Sequence, residues 1–205
     1  MIIRKLHYIS GLIITLFVGF HLFNHCFSIL SAYKHIEVMT TLRYFYRNIL
    51  VESILLLAVA IQIYSGLKLF RLKRQTAKSL FEKLHIWTGL YLAIFFVIHL
   101  SAVLAGRLIL NLDTNFYFGV AGLNSFPFNL FFIPYYLMAV VSFFGHISAI
   151  HNQRMTKTIF GFSPYRQSII LLTIGIGFAV FLICGLTNKF QGYQIPTEYN
   201  VIIGK

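Results

Sequence analysis

The stretch Leu84–Leu100, LHIWTGLYLAIFFVIHL, is an unbroken apolar run with a histidine near each end. From His85 to His99 is fourteen positions. At 100° per residue that leaves the second side chain about 40° short of four whole turns and about 21 Å along the axis. Both imidazoles therefore face one way, at opposite sides of a layer of membrane-like thickness. The same pattern occurs in Leu6–Leu22, LHYISGLIITLFVGFHL: His7 and His21 repeat the spacing, Gly11 coincides with Gly89, and Ser10 and Thr88 both carry a hydroxyl. Two matching helices imply two matching walls around something.

A chain of 205 residues with 58% hydrophobic and 11% charged residues and a mean hydropathy of +0.78 cannot dress a water-soluble domain in a polar exterior. It reads as an all-α membrane protein. Five segments are long and apolar enough to span, roughly 8–30, 49–70, 85–105, 128–150 and 168–186. They use most of the length, so a single transmembrane domain over 1–205 is expected, with no room for a soluble catalytic domain. The first span is too long for a signal-peptide h-region and carries polar residues matched in the third.

The net charge of +12 is concentrated in particular loops, which points to topology and not to nucleic acid. Arg4 and Lys5, the basic stretch Lys68–Lys83, and Arg154, Lys157 and Arg166 fall on one side. The positive-inside rule makes that side cytoplasmic, with the N-terminus inside and the C-terminus outside, as expected of a multi-pass protein of the cell's inner (cytoplasmic) membrane. Lys34, Arg43 and Arg47 on the other side weaken the contrast. Cys26 and Cys184 lie in different spans and offer neither a disulfide framework nor an iron–sulfur cluster.

Other polar residues have more local readings. Glu52, near the outer end of span two, is the only acid inside a span, and a carboxylate there needs a partner or a job. Arg47, about a turn earlier, is one partner, and proton exchange with a quinone is the alternative job. Gln62 reads as interhelical glue. His25 reads as interfacial, His35 as solvated in its loop, and His151 as a residue snorkelling to the surface. Tyr33, Tyr44, Phe45 and Tyr46 form an interfacial belt. The loop Arg107–Phe126 reads as re-entrant or surface-lying, and Arg71–Lys83, without Gly or Pro, as an extension of helices two and three that suits anionic lipid or an acidic partner.

His21 and His99 occupy equivalent positions in the repeat. In an up-down bundle, helices one and three run parallel, so both histidines sit at one depth and can face each other. A haem iron takes two axial ligands from opposite sides, and neutral imidazole suits it. Zinc fits less well, because no third or fourth ligand is evident at that depth. Gly11, Gly19, Gly66, Gly89 and Gly145 could give a macrocycle flat walls or simply let helices pack closely.

On RKLHYISG and the later FHL of span one, RNILVESILLLAVAIQIYSG of span two, LHIWTGLYLAIFFVIHL, FFGHIS and FSPYRQS, the chain resembles the five-helix, two-haem cytochrome b anchor subunits of succinate:quinone oxidoreductases and fumarate reductases. The resemblance implies that four of the five helices form a haem-binding bundle. It also implies haem b, one or two per chain, quinone as substrate, and flavoprotein and iron–sulfur subunits docked on the cytoplasmic face to carry the dicarboxylate chemistry. In such proteins the first helix pairs with the third around the distal haem and the second with the fourth around the proximal one. His21, His99 and His146 match three of these ligand positions. The fourth falls on Gln62, not a usual haem ligand, so a second haem would draw on His146, His85 and His7. Two readings stand beside this one: a diheme carrier of ferric-reductase or cytochrome bc type, pairing His7 with His85 and His21 with His99, and a haem-free membrane anchor.

Overall fold

The structure, a computed structural model, describes residues 2–204. Five helices are long and apolar enough to cross a membrane: α1 (Ile2–Cys26, continued by a 3-10 turn to Ile29), α3 (Ile49–Lys73), α4 (Leu80–Leu108), α6 (Asn129–Arg154) and α7 (Pro164–Leu186). Between them lie α2 (Ala32–Tyr46) and the short α5 (Phe116–Val120). The chain is thus an all-helical, multi-pass membrane protein. Each expected span is present, and most run longer than the apolar stretch alone, because capping residues sit beyond the hydrophobic limits. Ser79 and Glu82 close a capping box that starts α4 ahead of its first histidine, and Ser163 caps α7 with Pro164 in its first turn. Helices α3 and α4 therefore do extend through most of Arg71–Lys83, as expected of that loop.

The helices pack in a ring: α1 on α3, α3 on α4, α4 on α6, α6 on α7, and α7 back onto α1 and its 3-10 turn. Helices α1 and α4, the two halves of the sequence repeat, lie diagonally across this ring and make no extended packing with each other. Helix α7 approaches its neighbours closely at two glycines. A side chain at Gly175 would collide with Phe144, and one at Gly185 with Ser28. Leu12, Leu16, Leu57, Trp87 and Ile174 point outward, where lipid tails solvate them.

The two ends of the ring differ. At the end holding the helix joins 74–79 and 155–163, the connections are short and exposed. At the other, α2, α5 and the C-terminal segment fold into a cap. Its apolar core joins Ala32, Phe116, Val120 and Leu123 to Ile183 and Leu186 of α7. Asn124 donates to the Leu186 carbonyl and accepts from Tyr193 N–H, the Tyr193 hydroxyl reaches the Ser28 and Gly185 carbonyls, and the buried Tyr199 hydroxyl donates to the Asp113 carbonyl at 3.0 Å. The 107–126 segment is thus a packed part of the cap, and the tail after Leu186 ties it down. Tyr33, Tyr44 and Phe45 remain exposed at its rim, as an interfacial belt requires.

Candidate functional site

The inward stripe of α1 runs through His7, Ser10, Ile14, Phe17, His21 and Asn24, and that of α4 through Phe81, His85, Thr88, Phe95, His99 and Gly106, each at helical spacing. Because both stripes face the ring's centre, His21 and His99 meet across it with ring centres 6.2 Å apart. Two imidazoles ligating one ion from opposite sides, with metal–nitrogen bonds of about 2 Å, place their ring centres roughly 6 Å apart. The other histidine pairs in ring contact are closer: His21–His25 at 4.6 Å, His25–His35 at 5.0 Å and His85–His146 at 4.4 Å. The spacing for opposed ligation therefore belongs to His21 and His99.

Each of these two rings is braced from one turn below. Phe17 stacks on His21 at 5.8 Å and 18°, and Phe95 stacks on His99 at 5.1 Å and 11°. Tyr136 of α6 closes the side, 6.2 Å from His99. Phe17 and Phe95 stand at the same offset that relates His21 to His99, so the repeat carries the stacked phenylalanine as well as the histidine. That coincidence was available in the sequence and was not among its expected site residues.

Above the pair, a histidine chain climbs toward the cap. His25 Nε2 lies 3.2 Å from His21 Nε2, and His25 Nδ1 lies 3.0 Å from His35 Nε2, which is also 3.2 Å from Asn24 Nδ2. His35 is 2% exposed, so the expectation of a solvated loop histidine is corrected. The reason is that the segment after Ser31 forms a helix, which turns His35, Ala32 and Met39 inward. His25, expected at the interface, sits within this chain of rings. Burial, with His21 and Arg43 nearby, lowers the His35 pKa to about 4.

Glu52 is an ion-pair member, but its partner is Arg107 at the end of α4, not Arg47. Arg47 follows the last turn of α2 and donates instead to Thr114 Oγ1 at 2.9 Å, because the cap brings the 107–126 segment beside it. Both Glu52 and Arg107 keep about a quarter of their side-chain surface exposed. Glu52 therefore stands on the cap side, as does the His21–His99 pair, and retains access to the exterior.

At the opposite end the histidines have other partners. His7 Nδ1 is 2.9 Å from Ser65 Oγ and its Nε2 is 3.3 Å from Gln62 Nε2, while Ser10 donates to Gln62 Oε1 at 2.6 Å. Gln62 thus bridges α1 and α3. His146 Nδ1 sits 3.1 Å from the His85 carbonyl and 3.3 Å from Thr88 Oγ1. Gly11 faces Gln62, Gly66 faces His7 and Gly89 faces His146, so these glycines make room for polar side chains at the seams, while Gly19 faces open space. His151, expected to snorkel, bonds Gln167 Oε1 through Nε2 at 2.9 Å.

Among the described residues no group of three or more His, Cys, Asp or Glu side chains is arranged to hold a metal ion. The His21–His99 pair brings two imidazoles to a ring-centre separation of 6.2 Å, flanked by Phe17, Phe95 and Tyr136. No family model, curated protein or solved structure matches the chain.

Proposed function

We propose that this chain is a haem b-binding membrane subunit that passes electrons between a soluble redox partner at its basic end and quinone near its capped end. This is the role of the cytochrome b anchors of succinate:quinone oxidoreductases and fumarate reductases. The carrying observation is the 6.2 Å separation of the His21 and His99 rings across the bundle. What supports the reading is that the two imidazoles come to a ring-centre separation suited to a shared iron, that Phe17 and Phe95 stack on them, and that the helices bearing them lie diagonally across the ring without extended packing. A haem held by His21 and His99 would supply one-electron transfer.

His21 and His99 hold and orient, Phe17 and Phe95 fix the ring planes, and the flanking apolar surface keeps water out. Ligation through His21 Nε2 would take the lone pair that now meets His25, leaving His25 bonded to His35. With one opposed pair, one haem per chain is expected, and His7, His85 and His146 keep structural partners. Glu52 is the protonatable group for quinone chemistry. Its carboxylate can take up and return a proton at Oε1 or Oε2 while Arg107 holds it in place. The basic end, where Glu82 is the lone acid among many cations, is the cytoplasmic face that receives iron–sulfur and flavoprotein subunits in the inner membrane.

A visible spectrum of the purified protein, with haem quantified per chain, is the test. A low-spin b-type spectrum at one haem per chain is expected, whereas a colourless protein after expression with ample haem would leave a haem-free anchor. Glu52→Gln should lose quinone-linked turnover and keep its haem and its reduction by an artificial donor. Normal turnover in that variant would reduce Glu52 to an ion-pair residue.

A further inference from the structure

The connection between α6 and α7 carries a feature that neither the haem reading nor the fold requires. Ile159 and Phe162 pair as an isolated antiparallel bridge, with Ile159 N–H donating to the Phe162 carbonyl at 3.2 Å and Phe162 N–H donating to the Ile159 carbonyl at 2.9 Å. The two residues between them, Phe160 at φ 51° and Gly161 at φ 77°, both lie in the left-handed region that a two-residue type I′ turn demands. Glycine adopts that conformation freely, but a bulky aromatic does so only when its surroundings impose it. Here Gln167 imposes it. Its amide donates to the Phe162 carbonyl at 2.7 Å and the Lys157 carbonyl at 3.0 Å, and its oxygen is held by His151. The outcome is Phe160 at 94% exposure, the most exposed large apolar side chain among the described residues.

We propose that this turn is a preformed docking finger for a soluble protein whose surface combines an apolar pocket for Phe160 with acidic groups around it. The charge argument comes from the flanks, where Arg154, Lys157 and Arg166 are exposed and no acid stands within the connection. A rigid aromatic anchor ringed by arginine and lysine is the composition of an interface hot spot. One observation separates this from insertion into lipid. Helix α6 has 26 residues and is about 39 Å long, more than a hydrocarbon core of about 30 Å, so a turn following its end projects beyond the apolar layer.

The inference rests on the partner half of the proposed function and is independent of haem. The test places p-benzoylphenylalanine at position 160 of the full chain in the cells that make it, with Thr158 as a second position should the first fail to accumulate. Adducts formed on irradiation are identified by mass spectrometry. The expected result is an adduct with one soluble polypeptide of acidic surface. Its yield should fall about tenfold or more when Lys157→Glu and Arg166→Glu are combined, and again when Gly161→Ala breaks the turn, at unchanged levels of the chain. Adducts confined to lipid, adducts with another copy of this chain, no adduct, or an adduct indifferent to both changes would each overturn it. The same adduct from a His21→Ala chain lacking haem would keep the docking finger and sink the haem reading alone.

Discussion

The two ends of the bundle carry histidines in similar number and use them differently. At the capped end the His21 and His99 rings stand 6.2 Å apart, each stacked on a phenylalanine, and a chain of rings through His25 and His35 climbs from His21 beneath a packed lid. At the basic end the rings bond to neighbouring helices, His7 to Ser65 and Gln62, His85 to Gln153, and His146 to the His85 carbonyl and Thr88. Helical repeats alone place imidazoles at matching depths at both ends. What the neighbouring helices α3 and α6 offer at each depth decides which histidines face an opposed partner and which become interhelical hydrogen bonds.

The largest expected effect breaks that contrast directly. His21→Ala or His99→Ala should abolish the low-spin haem spectrum, whereas His7→Ala should leave haem content within about a third of the parent while weakening the α1–α3 seam by about 1 kcal/mol. Haem retained in both capped-end variants but lost from His85→Ala or His146→Ala would transfer the ligand role to the basic end and reverse the comparison.

Much of this was legible in the chain. Five apolar stretches specify five spanning helices, and the offset between the two histidine-bounded runs places His21 opposite His99, because a helix converts spacing into direction with little dependence on its neighbours. The cap was less legible. His35, Tyr199 and, within the 107–126 segment, Phe116, Val120 and Leu123 are buried by long-range contacts among short elements whose composition resembles surface loops. The partner of Glu52 was missed for a related reason: Arg47 is near in sequence, but Arg107 comes to the same depth on an adjacent antiparallel helix. Phe17 and Phe95 lay in plain view in the repeat, yet two phenylalanines among 22 in a chain of this composition carry little signal until the rings are seen to stack.

The next effect concerns the lid. His35 is buried with its pKa lowered from 6.5 to about 4, chiefly by desolvation, so the folded cap disfavours the charged ring. In the unfolded chain the ring takes a proton as pH falls through about 6.5, and in the folded cap only near 4. The cap therefore has its full stability above pH 6.5 and loses it progressively as pH falls toward 4, by up to about 3 kcal/mol at the low end. Amide exchange in α2 and α5 should accelerate over that interval, and His35→Gln should flatten the dependence. Exchange in these helices that is independent of pH-linked opening between 6.5 and 4 would mean that the cap is held by its apolar core without help from the histidine chain.

The smallest effect belongs to Gln62, where the ligand reading and the seam reading of the basic end diverge most cleanly. Replacing it by leucine removes an acceptor from Ser10 and a partner from His7, yet neither is left bare. Ser10 Oγ also reaches the Leu6 carbonyl at 2.9 Å and the His7 carbonyl at 3.3 Å, and His7 keeps Ser65 through Nδ1. Polar contacts between membrane helices contribute on average about 0.6 kcal/mol. Gln62→Leu should accordingly lower the stability of the α1–α3 pair by about 1 kcal/mol or less, measured by steric trapping or controlled detergent unfolding, with haem per chain and the visible spectrum unchanged. If the substitution removed a spectrally distinct haem, the seam would be a second ligand site, and the division of labour between the two ends would have to be abandoned. A loss of several kcal/mol with the spectrum intact would instead mean that Ser10 and His7 cannot fall back on their remaining partners, and that the basic end is held together mainly through this one amide.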